Sequence, residues 1–169
     1  MVEDLFKLAV SMEEKGRDFY DKVSEFAKDE RARKLFAYLR DQEEKHTEVF
    51  LKLFRTYAAK GTAFSAEPAF DDVIDTLLRN LLLPDISEVR DVLSKDRDVG
   101  VSSILRIGME VEINTLFFYQ KLKELVRGKQ AKEALEKVIR EEESHIIKLR
   151  DLRVELDPFY AGIDYGKFF

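Results

Sequence analysis

The chain has only two histidines, and each stands three residues after a glutamate: Glu43-Glu44-Lys45-His46 and Glu142-Glu143-Ser144-His145. On a helix, positions i and i+3 project from one face, so each pair offers a carboxylate and an imidazole to a common point. Thirty residues before each of these glutamates stands another, Glu13 and Glu112. Oxygen and imidazole donors grouped in this way suit metal ions of the Fe, Mn and Zn class. The chain has no Cys, which removes thiol nucleophiles, disulfides and thiolate-held centres from consideration. Any metal or acid–base chemistry therefore falls to carboxylates, Tyr, Lys and the two histidines.

The two sets are related by an internal repeat. Shifting the chain by 99 residues aligns Leu8–Phe54 with Ile107–Arg153 without a gap, and ten of the 47 pairs are identical. These include Glu13/Glu112, Phe19/Phe118, Tyr20/Tyr119, Glu43/Glu142 and His46/His145. A repeat of this kind points to one supersecondary unit used twice, here a pair of helices.

Hydrophobic periodicity supplies those helices. Leu5, Phe6, Ala9, Met12, Gly16, Phe19, Tyr20, Val23 and Phe26 recur every three to four residues, as one helix face requires. Lys28-Asp29-Glu30 reads as a turn with Asp29 as N-cap, and a second helix carries Leu35, Leu39, Phe50, Leu53 and Tyr57 on its stripe. A third, from about Asp98, carries Leu105, Met109, Leu116, Tyr119, Leu122 and Val126. After Gly128 a fourth carries Leu135, Val138, Ile146, Leu149 and Leu152, and Asp157-Pro158 stops it. Between the pairs, residues 58–98 read as a helical crossover, with one helix over about 71–82 and another starting at Asp85. The aromatic tail 157–169 is expected to dock on the bundle or on a partner subunit.

On these helices the six residues interrupt apolar stripes. Glu43 and His46 lie between Leu39 and Phe50, Glu142 and His145 between Val138 and Leu149. Glu13 and Glu112 share faces with Tyr20 and Tyr119. Burying such charges unpaired is very costly. Glu13 and Glu43 are equidistant from the first turn, each roughly 22 Å away at ~1.5 Å per residue, and Glu112 and Glu142 match them about the second. If the hairpins pack face to face, four Glu and two His meet at one level. One Glu-x-x-His in an acidic helix is commonplace on a surface; two in register, each with an upstream Glu on an apolar stripe, are not. Four carboxylates neutralise two divalent ions. Glu14, Glu44, Glu110, Glu141 and Glu143 point off the stripe and read as solvated, with Glu110 a candidate substitute ligand.

The motifs resemble those of the rubrerythrin-like branch of the ferritin-like di-iron proteins. Glu13 followed seven residues later by Tyr20, repeated as Glu112 and Tyr119, is similar to the family's first-helix motif, and the two Glu-x-x-His helices match its others. The resemblance covers roughly residues 2–57 and 99–156. It implies one all-α domain, 1–169: a ferritin-like four-helix bundle of two repeated hairpins (2–57 and 99–156) joined by the long helical crossover. It implies that Glu13 and Glu112 each bind one metal, Glu43 and Glu142 bridge, and His46 and His145 cap one metal each. It further implies two metal ions, Fe first, with Mn or mixed Fe/Mn the alternatives, and hydrogen peroxide or O2 as the molecule reduced, in an oxidative-stress role. Tyr20 and Tyr119 would hydrogen-bond a ligand carboxylate or pass an electron. A ferroxidase or iron-handling role, and a non-catalytic metal-binding module, are the alternatives. Rubrerythrins proper carry a rubredoxin-like domain with four Cys, so a chain without Cys implies an external electron donor. They also place a further Glu one turn beyond the third-helix Glu, where this chain has Thr115.

The remaining expectations follow from composition. A net charge of −5 with no basic block argues against nucleic acid as a partner. The acidic N-terminus does not read as a signal peptide, and nowhere do 18 apolar residues run together. A cytoplasmic protein with no membrane partner is expected, and the helical crossover with the aromatic tail points to a small oligomer, a homodimer.

Overall fold

A computed structural model of the chain describes residues 2–60 and 97–157. Four helices occupy them: α1 (Val2–Phe26), α2 (Glu30–Lys60), α3 (Arg97–Leu125) and α4 (Lys129–Leu156). The fold is an all-α four-helix bundle, with no strand among the described residues. The two crossover helices expected within 58–98 and the aromatic tail from Pro158 onward lie outside the described residues. No helix among the described residues is long and apolar enough to cross a membrane.

Each hairpin closes by its own device. At the first turn Asp29 accepts hydrogen bonds on Oδ1 from the backbone N–H of Arg31 (2.9 Å) and Ala32 (3.1 Å), satisfying two donors that the start of α2 leaves open. Gly128, the repeat-equivalent of Asp29, instead caps α4 with φ 102° and ψ 131° and no side chain, a conformation that only glycine adopts without strain. The repeat therefore preserves the turn but not its chemistry.

The hairpins pack with the turn of one beside the open end of the other. One apolar cluster joins Leu5, Phe6, Phe50 and Leu53 to Leu122, Val126, Ala131 and Leu135. The opposite cluster joins Val23, Ala27, Ala32 and Phe36 to Ile104, Leu105, Leu149 and Leu152. Each large side chain taken wholly out of water there contributes about 1.5–3 kcal/mol. Across the bundle α1 faces α3 and α2 faces α4, and α2 ends at the opposite end of the bundle from where α3 begins. Between the two clusters lies one polar layer, sealed by hydrocarbon above and below.

Candidate metal centre

That layer holds all six residues singled out by their spacing. Glu13 (α1), Glu43 and His46 (α2), Glu112 (α3), and Glu142 and His145 (α4) are each at most 4% exposed. They form two overlapping sets, Glu13–Glu43–His46–Glu142 and Glu43–Glu112–Glu142–His145. Within each set, one donor atom from every residue lies within 4.8 Å of the others. Glu43 and Glu142 belong to both sets; Glu13 and His46 belong to one end, Glu112 and His145 to the other. Two metal positions with two shared carboxylates are what this arrangement can hold.

The contacts inside the layer run between hairpins. His46 Nδ1 lies 2.9 Å from Glu142 Oε1 and 3.6 Å from Glu13 Oε2. His145 Nδ1 donates to Glu142 Oε2 at 3.0 Å and lies 3.8 Å from both Glu43 Oε1 and Glu112 Oε2. The two imidazole planes stack at 5.7 Å between centroids. The tyrosines cross over. Tyr20 Oη donates to Glu112 and Tyr119 Oη to Glu13, so each bonds the carboxylate of the other hairpin and not the one two turns before it. Both phenols are fully buried.

Space is also reserved. A Cβ placed on Gly16 would stand 3.4 Å from Glu43 Oε2 and 3.5 Å from its Cγ and Cδ, ordinary contact distance, so the shared carboxylate lies against α1 with room there for little more than a methyl group. The repeat-equivalent Thr115 is buried and brings no carboxylate, and among the described residues neither donor set gains a seventh ligand.

Burial and charge compete at each group. Burial pushes the Glu43 carboxyl well above its usual range, and the Glu13, Glu112 and Glu142 charges push it further. Burial likewise lifts Glu112, helped by Glu142 and opposed by His145, to about 8. For Glu142, burial is overcome by the hydrogen bond from His145 and by the His46 imidazole beside it, which hold it well below the ordinary carboxylate range. Burial alone would lower both imidazoles. Glu13 and Glu142 instead raise His46 to about 11, and Glu112 and Glu142 raise His145 to about 9. Tyr20 and Tyr119 are pushed well up, first by burial and then by carboxylates, so both keep their O–H.

The donor set fits metal ions on an observation independent of spacing. Glu13 Oε2, Glu43 Oε1, His46 Nδ1 and Glu142 Oε1 are buried without a hydrogen-bond partner. Leaving such atoms unpaired costs about 1–3 kcal/mol each, more for charged groups. All four belong to the set around His46, where a cation would satisfy them together.

Of two nearby acids, one departs from what its helix position predicts. Glu141 does not stand apart in solvent. Its half-exposed side chain reaches from α4 to α2 and accepts a hydrogen bond from His46 Nε2 at 3.0 Å. A long side chain on the flank of a helix can bridge to a neighbouring helix, which angular position alone does not reveal. Glu110 is no substitute ligand: it is exposed and paired with Arg106 one turn away.

The comparisons with known proteins agree with this geometry. The rubrerythrin family model matches residues 2–74, which take in α1 and α2. A structure from Thermotoga maritima described as a ferritin-like diiron-carboxylate protein superposes with a TM-score of 0.70 at 26% identity, covering 92% of this chain and 96% of that one. A hypothetical protein from Pyrococcus furiosus shares the fold, with a TM-score of 0.65 at 22% identity over 92% of this chain and 90% of that one. No protein of curated function matches the sequence. By sequence the chain's first hairpin is similar to the rubrerythrin family, and by fold most of its length is similar to a ferritin-like diiron-carboxylate protein, while the chain has none of the cysteines of a rubredoxin centre.

Proposed function

We propose that the chain is an oxidoreductase that reduces hydrogen peroxide or O2 at a carboxylate-bridged pair of metal ions. The observation that carries this reading is the pair of buried donor sets sharing Glu43 and Glu142. Divalent iron held there would supply the two electrons needed to open an O–O bond, with an external donor restoring them. Iron is the first choice because the donors are carboxylate and imidazole without thiolate; manganese or a mixed pair fits the same donors.

The chain's own residues do the rest. Glu13 and His46 would hold one ion, Glu112 and His145 the other, and Glu43 and Glu142 both. Tyr20 and Tyr119 hold Glu112 and Glu13 in place, and each keeps a proton on its phenol oxygen. The apolar clusters above and below exclude bulk water. Burial of all six donors suits a small oxidant such as peroxide or O2 better than a larger substrate. We propose further that the protein is a cytoplasmic homodimer, for which sedimentation giving a large cage would be the contrary result.

Stopped-flow spectra of the anaerobically Fe(II)-loaded protein test the reaction. We expect rapid oxidation on mixing with peroxide at two iron ions per chain. Uptake of many iron atoms per chain would instead assign the site to iron storage. Absence of any oxidation, with the fold lost on metal removal, would leave a structural metal centre.

A further inference from the structure

The repeat makes the two ends of the centre nearly alike. Each end has one glutamate of its own, one histidine and one crossing tyrosine bond, and both share Glu43 and Glu142. Outside the layer the likeness breaks. His46 turns Nδ1 towards Glu13 and Glu142, and its other nitrogen donates to the Glu141 carboxylate. The repeat places Gln42 at the position equivalent to Glu141. Among the described residues every carboxylate within 4 Å of His145 is reached through Nδ1 alone. What lies edge-on to the His145 ring is Tyr38, at 6.1 Å.

A carboxylate behind a metal-bound imidazole fixes the ring and makes it a stronger donor; losing such a partner typically costs about 10–100-fold in metal affinity. Glu141 also adds a fifth negative charge near one end only. Lys137 stands 3.8 Å from its other oxygen, but it is exposed, and an exposed pair of this kind contributes little. The unpartnered buried atoms fall on the same side: His46 Nδ1 and Glu13 Oε2 belong to the His46 end alone, the other two to both ends.

From these observations we propose that the two metal positions are inequivalent and fill in order, the His46 end first, with Glu141 as the residue that positions His46 and sets the order. The proposal rests on the dimetal reading above and concerns how that centre is loaded.

Anaerobic titration of the metal-free protein with Mn(II), followed by EPR and calorimetry, tests it without any turnover. The wild type should take two ions in two resolved steps. The first gives the signal of an isolated ion, and the second converts it to that of a coupled pair. Glu141→Gln should weaken the first step about 10–100-fold and merge it with the second, while Gln42→Glu should tighten the second. His46→Ala should abolish the tight step and His145→Ala should spare it. Two ions binding with equal affinity, or two steps unchanged in Glu141→Gln, would overturn the ordered loading and leave the dimetal reading standing. A wild type that binds fewer than two ions would overturn both.

Discussion

Each of the six buried donors is expensive in isolation, and the protons held by His46, His145 and Glu112 show how the metal-free chain bears the cost. His46 and His145 are lifted from the ordinary 6.5 to about 11 and about 9, and Glu112 from 4.5 to about 8. The metal-free fold thus binds more protons than the unfolded chain across this range, so its stability falls as pH rises. The histidine contribution is fully present below about 6.5 and is lost as pH passes about 9 and about 11; that of Glu112 fades from about 4.5 to about 8. Metal binding needs the same groups deprotonated, so affinity runs the opposite way. The gap in melting temperature between metal-loaded and metal-free protein should therefore widen from about pH 6 to about pH 9, as thermal scans with and without chelator would show. A gap constant across that range would contradict this linkage. At this scale the sequence was highly legible: two Glu-x-x-His pairs in register on apolar stripes place charge where an ordinary core would hold none. The direction of the tyrosine bonds was not legible, because Glu13 to Tyr20 is the same seven-residue step whether Tyr20 bonds within its own hairpin or across to Glu112.

The helices, and the turns at residues 27–29 and 126–128, also follow from periodicity and capping chemistry. What the pattern could not show was the flank of α4. Glu141 lies about 100° from Glu142 around the helix axis, and only the approach of α2 brings its carboxylate to His46. The turn devices make separate predictions. Gly128→Ala should destabilise the fold by about 1–3 kcal/mol, because its positive φ admits little besides glycine. A neutral result in denaturant titration would mean that the turn relaxes. Gly16 behaves differently, since an added Cβ meets Glu43 only at ordinary contact distance. Gly16→Ala should keep its metal and gain up to about 1 kcal/mol of helix stability. Gly16→Leu should push Glu43 aside and lose metal; retention of a full complement by the leucine variant would show that Gly16 reserves no space.

As a whole, the molecule is a duplicated hairpin whose two copies meet with opposite polarity, turn against open end. That polarity brings each glutamate pair, equidistant from its own turn, to one level. Two apolar ends flanking a polar middle make the bundle's stability depend on what neutralises that middle. The central claim is that two metal ions do so, and metal content measures it directly. Protein isolated without added metal, and the same protein reconstituted anaerobically with Fe(II), should each be analysed beside Glu43→Ala and His145→Ala. Two ions per chain are predicted in the wild type after reconstitution, and well below two in both variants. Two ions retained by both variants, or only traces in the reconstituted wild type, would contradict the claim.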